Sequence, residues 1–156
     1  MVRCLRWACL LVVLACGRGA EAELERARQH LAAGAYAEAA AAADRGLAAG
    51  PEGPVAWRLE LAALEGEARS ARTPDVLARL ERLAGSPWAA QVTASLYVQT
   101  AGQLKEAGDA AGAVGVLDAG AKRFPGDAAL AAAIERLQAT GTSEEIERLR
   151  SLGYVE

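Results

Sequence analysis

Two nineteen-residue segments of this chain match at a fixed offset, and no other feature restricts its fold as strongly. Ala33 to Pro51 reads AGAYAEAAAAADRGLAAGP, and Ala107 to Pro125, 74 residues later at every position, reads AGDAAGAVGVLDAGAKRFP. Seven of the nineteen pairs are identical. Three of these are alanines and weigh little. Gly34 with Gly108, Asp44 with Asp118, Gly46 with Gly120 and Pro51 with Pro125 are informative, and upstream Ala27 stands at the same offset from Ala101. Each type has a physical use. Glycine turns the chain at a helix end without a Cβ penalty, proline stops a helix from continuing, and small residues let helices cross closely. Recurrence at fixed spacing marks units that bury a core only by stacking on their neighbours.

The residues between these marks read as helix. The chain is 53% hydrophobic but only 4% aromatic, because alanine supplies much of the apolar content. Alanine has the highest helix propensity and little side chain to bury, so the expected class is all-α, built of thin, closely spaced helices. Glu21 to Ala33 and Ala37 to Ala49 form a first predicted pair, and Val55 to Arg69 opens a second. Thr73 is a candidate N-cap with Pro74 in the first turn. Ser86-Pro87 repeats that device before a long helix to about Ala107, and Asp109 begins another that ends near Arg123. Asp127 caps a helix to Ala139, and Thr142 to Glu145 is a capping box opening a last short helix that stops at Gly153.

Together these marks resemble the tetratricopeptide repeat, a helix–turn–helix unit of 34 residues. The resemblance covers residues 20–141. Gly34, Tyr36, Ala39, Gly46 and Pro51 match the first copy; Gly108, Ala113, Gly120 and Pro125 match a later one, which has Ala110 at the aromatic position. Ala27 and Ala101 match the small residue of the first helix, and Trp57 and Tyr97 the aromatic near its start, where the first copy has Glu23. A 34-residue unit leaves the middle copy about six residues longer than the others, with Ser70 to Thr73 as the insertion. The implied architecture is a short α-solenoid of about three units, with residues 142–156 as a capping helix and tail. The family's concave face holds extended peptides or helices. On this register Leu24, Arg28, Leu31, Val55, Arg58, Glu65, Val98, Lys105 and Arg136 line it. One basic residue per copy suits a partner bearing carboxylates.

Residues 1–15 read as an export signal. Arg3 and Arg6 precede the apolar run WACLLVVLA, which is too short to span a bilayer. Val13-Leu14-Ala15-Cys16 resembles the lipobox of bacterial lipoproteins, with Leu14 bulkier than the usual small residue, and Ala20-Glu21-Ala22 offers ordinary cleavage after Ala22. The lipobox is favoured because Cys16 borders the apolar run and a lone exported cysteine is otherwise odd. That resemblance implies a bacterial source, lipid at Cys16 and, with Gly17 following, an outer membrane facing the periplasm in a two-membrane cell. Cleavage after Ala22 implies a soluble periplasmic or secreted protein instead.

Catalytic patterns are lacking. Cys4, Cys9 and Cys16 are the only cysteines, so residues 17–156 hold no disulfide framework and no cysteine-liganded zinc. His30 is the one histidine and reads as an ordinary helix residue. No nucleophile elbow, zinc-protease or Walker motif occurs, and Gly112, Gly115 and Gly120 lie in a helical stretch. The net charge of −3, or −5 once Arg3 and Arg6 are removed, disfavours nucleic acid. No cofactor and no metal are expected. The expected role is protein–protein interaction in the cell envelope, without enzymatic activity. The tail LRSLGYV is similar to one found on sulfatase-type hydrolases, which leaves an accessory subunit as the alternative; Tyr154 and Val155 are expected to fold back on the last unit.

Overall fold

The computed structural model describes residues 19–155; the export segment and Cys16 lie outside the described residues. Among those residues the chain is helical throughout, with no strand, as the alanine-rich sequence predicts. Eight α-helices follow in order. They are α1 (19–32), α2 (Tyr36–Ala48), α3 (Gly53–Arg69), α4 (Thr73–Ala84), α5 (Ala94–Glu106), α6 (Ala110–Arg123), α7 (Ala128–Thr140) and α8 (Ser143–Ser151). A 3-10 turn, Ala89–Gln91, precedes α5. The described chain forms two compact units, one up to Gly66 and one from Glu67 onward.

The N-terminal unit has a thin core. Leu24, Ala27, Ala43, Leu59 and Ala63 are buried together, and Leu31, Leu47 and Val55 pack against them. Alanine contributes little area per residue, so the helices must come close for the core to exclude water. They do so at glycines. A Cβ on Gly66 would stand 2.6 Å from the Tyr36 carbonyl oxygen and 2.8 Å from the Ala40 nitrogen, which is backbone that cannot yield. On Gly46 it would stand 2.7 Å from Leu59 Cδ2 and 3.2 Å from Glu23 Cβ.

The C-terminal unit repeats this device. A Cβ on Gly120 would lie 2.9 Å from Leu130 Cδ2 and 2.9 Å from Tyr97 Cβ. Tyr97 follows Glu23 by the same 74 residues that separate Gly120 from Gly46. The two copies therefore close the same crossing with the same two positions. In this unit α5 lies along α6, and α8 packs on α6 and α7. Leu104, Val114, Val116, Leu130 and Leu149 are among the residues that fill its core. Tyr97 meets Phe124 edge to face at 6.0 Å.

The turns between paired helices correct the predicted register. Gly34, Ala71 and Gly108 have positive φ of 74°, 55° and 88°, and each stands two residues before the next helix. Each turn closes with the same two bonds. Gly34 N–H donates to the Leu31 carbonyl and Ala35 N–H to that of His30; Ala71 and Arg72 repeat this on Ala68 and Glu67, and Gly108 and Asp109 on Lys105 and Leu104. The turns thus recur every 37 residues, and the 74-residue offset is two equal steps. Ser70 to Thr73 is not an insertion. The added length of the middle copy lies in α3, which has 17 residues, and in the connection 85–93.

Three further expectations change. Ser86 and Pro87 start no helix: the Ser86 hydroxyl donates to the Leu83 carbonyl and accepts from Trp88 N–H, closing the end of α4, and α5 begins at Ala94 behind the N-cap Thr93. Thr73 does not cap α4. Arg72 occupies that place, and the Thr73 hydroxyl donates instead to Asp109, 2.6 Å away. Trp57 is not the counterpart of Tyr97, because a 37-residue step puts Glu60 there. The caps expected at Asp109, Asp127 and the Thr142–Glu145 box are present.

The same step exposes a substitution inside the C-terminal unit. Leu104 and Val116 are fully buried; 37 residues earlier stand Glu67 and Arg79. These form a bidentate pair at 2.7 and 2.8 Å, with side chains 4% and 7% exposed. A buried pair offsets its desolvation only while both members remain.

Two outcomes follow for chemical denaturation. Ala71→Gly relieves a left-handed alanine, a gain of about 1–2 kcal/mol partly cancelled by the more flexible unfolded chain, and stability rises by roughly 0.5–1 kcal/mol. Arg79→Leu alone costs about 3–5 kcal/mol, whereas Glu67→Leu with Arg79→Val, which restores the later copy's residues, is neutral or stabilising.

Candidate functional site

The groove residues expected from sequence fall around two hollows, one within each unit. In the N-terminal unit Leu24, Arg28 and Leu31 project from one face of α1, being four and seven residues apart, while Arg58, Leu61 and Glu65 share a face of α3. These six bound an open hollow of about 200 Å³. Leu24 is only 5% exposed and belongs to the core, with Leu31 and Val55 packed on it. Leu24 and Leu31 are therefore the floor of the hollow rather than free contacts, and Val55 supports the core instead of lining it. Arg28 and Arg58 are the exposed cations at the rim. Arg28 lies 3.9 Å from Glu25, both on the surface, a pairing worth little.

In the C-terminal unit Val98, Lys105 and Arg136 come together around a hollow of about 230 Å³, floored by Leu117 and Leu137. Lys105 departs from its expected role as a free groove cation. Its Nζ sits 2.7 Å from Oε1 of Glu145, a fully buried carboxylate on α8. The other Glu145 oxygen accepts the Thr142 N–H at 2.6 Å. Burial opposes ionisation of Glu145, but the Lys105 ammonium and the two Thr142 hydrogen bonds outweigh it and hold the pKa below the usual carboxylate value. The cation left at this rim is Arg136.

A third hollow, about 610 Å³, was not foreseen from sequence. Leu77, Leu80, Glu81, Tyr97, Lys122 and Arg123 surround it. Burial pushes the Tyr97 phenol up and Glu81 adds to this, while Arg123 opposes. Lys122 is held by Asp118 at 2.8 Å. Asp118 also accepts the Tyr154 hydroxyl at 3.2 Å, and the Gln138 amide donates to the Tyr154 carbonyl at 2.6 Å, so the tail folds back as expected.

The repeat-packing residues sit where close contact requires small side chains. Ala27, Ala39, Ala101, Ala113, Gly46 and Gly120 are buried, while Tyr36 is half-buried and Pro51 and Pro125 follow α2 and α6. Leu61, Gly102 and Leu117 also line these two hollows without having been expected there, although Leu61 and Gly102 share helix faces with the expected Arg58 and Val98. His30 is half-buried in α1. Among the described residues no cluster of three or more His, Cys, Asp or Glu side chains is placed to hold a metal, and no helix is long and apolar enough to cross a membrane.

The lowered pKa of Glu145 means that its contribution to stability is present above the ordinary carboxylate range and is lost as pH falls through the depressed folded value. Glu145→Gln keeps a capping-box residue but removes the charge. It is therefore less stable than wild type at neutral pH, and the gap narrows on acidification, as read by urea unfolding between pH 7 and pH 3. A constant gap contradicts this account. Comparison with protein-family models, with curated proteins and with solved structures finds no match for this chain.

Proposed function

We propose that this chain is an exported repeat protein of the tetratricopeptide type, anchored by lipid at Cys16, that binds other proteins in the bacterial envelope. One observation carries the binding half of this reading. Side chains from facing helices converge on a hollow with a leucine floor and the exposed guanidiniums of Arg28 and Arg58 at its rim. Arginine pairs well with carboxylates, so the expected partner offers an acidic, extended segment. The even 37-residue spacing of the turns supports a repeat of helix pairs, with a step three residues longer than the 34 of the tetratricopeptide unit.

The fold also bears on the two cleavage signals. Ala20 is fully buried in the N-terminal core and lies within α1. Cleavage after Ala22 removes Ala20 from that core, whereas cleavage before Cys16 leaves the described α1 intact. This favours the lipidated form over a soluble periplasmic or secreted one, and several acyl chains on one cysteine anchor firmly.

The test is a crosslinked pull-down of the full-length protein from its own membranes, with the mature N-terminus read by mass spectrometry. The expected result is an acylated Cys16 and one or two recurrent protein partners. Arg28→Glu with Arg58→Glu, surface changes that leave the core intact, reduces recovery of those partners at least about tenfold, because like charges then face each other. An unmodified N-terminus at Glu23 with no recurrent partner defeats the proposal.

A further inference from the structure

Four helix-interior glycines of this chain are dictated by packing. At Gly46, Gly66, Gly112 and Gly120 an added Cβ would collide with neighbouring atoms at 2.9 Å or less. Gly102, like Gly115 in α6, is different, but unlike Gly115 it lines one of the hollows described above. It lies in the interior of α5, where glycine is less favourable than any residue but proline. Yet a Cβ there would meet nothing within 4 Å. No helix crossing requires it. Gly102 lines the 230 Å³ hollow of the C-terminal unit, between Val98 on one side and Lys105 on the other. Glycine at that point keeps the hollow open.

The lining has a definite chemistry. Val98, Ala101, Leu117 and Leu137 make an apolar floor. Lys105 stands at the rim with its ammonium held by Glu145, so its charge is balanced and its position fixed. Arg136 is exposed on α7 and makes no ion pair among the described residues. The floor is apolar and the unbalanced charge at its edge is positive. The occupant complementary to this is a short branched aliphatic group ending in, or flanked by, a carboxylate.

We infer that the Gly102 hollow is a specificity pocket that takes an aliphatic side chain of the protein partner while Arg136 meets the adjacent carboxylate. The inference rests on the interaction function proposed above and supplies the partner's chemistry at this unit. The floor selects apolar side chains, and at about 230 Å³ the hollow has room for one leucine-sized group with its carboxylate. Arg136 sets sign, because an ammonium at that place would be repelled.

The hollow is tested directly with small probes, without knowledge of the partner. The full chain without its export segment, beginning at Gly17, is titrated with 4-methylpentanoate, 4-methylpentanamide or isoamylamine and followed by amide and methyl NMR shifts. The expected result is saturable shifts at Val98, Gly102, Leu117 and Leu137 for the carboxylate, at least about tenfold weaker binding of the amide, and none of the amine. Gly102→Leu fills the hollow, and because its Cβ has free space it folds; it loses the shifts. Gly102→Ala leaves most of the hollow open and retains them, so loss in the leucine variant alone reports occupancy rather than misfolding. Equal binding of acid and amide, shifts that persist in Gly102→Leu, or no saturable shift at these residues overturns the pocket. The two readings fail separately. Partners recovered equally by wild type and Gly102→Leu leave the interaction function standing without this pocket. Saturable probe binding with no partner recovered from membranes leaves the pocket without that function.

Discussion

The close approach of helices at Gly46, Gly66 and Gly120 is the constraint on which the remaining structure depends. An alanine-rich chain gains little from each buried side chain. It excludes water only if backbones come within reach of one another, and that requires positions with no Cβ at all. The Gly66 backbone against the Tyr36 carbonyl and the Gly120 backbone against Tyr97 are two instances of this solution. With the helices so close, the side chains of adjacent turns are directed to the outer faces. There the leucines of α1 and α3 and the small residues of α5 leave shallow hollows rather than a filled surface.

Because each pair of helices is closed by the same turn, the chain varies its chemistry at fixed places. The positions of Leu104 and Val116 carry Glu67 and Arg79 one step earlier, and the position of Gly108 carries Ala71. Neither change is favourable locally. A buried ion pair is no more stabilising than an apolar pair of similar volume, and alanine at φ 55° is strained.

Much of the fold was legible in the sequence. The helices, the Asp109 and Asp127 caps and the capping box follow from local rules, and local rules act on neighbouring residues that a sequence displays. The 37-residue step is not legible, because Ala71 stands where the other copies have glycine and the unit that the family resemblance implies has 34 residues. The connection 85–93 was misread since Ser-Pro is a helix-start signal unless the serine is already bonded to the preceding helix, as Ser86 is to Leu83. The candidate site was legible as helix faces: Leu24, Arg28 and Leu31 do share a hollow with Arg58 and Glu65. The pairing of Lys105 with Glu145 was not, for it joins α5 to α8 across 40 residues. Gly102 was passed over because a glycine's value lies in the space beside it, which only the fold defines.

The hollow between Arg28 and Arg58 is the proposed docking place of a protein partner. A photo-crosslinking residue substituted at Arg58, and separately at Ala41 on the exposed face of α2, measures this in native membranes. Irradiation is expected to join position 58 to one protein species and to leave position 41 without it. The same species joined equally from both positions, or none from position 58, contradicts the account.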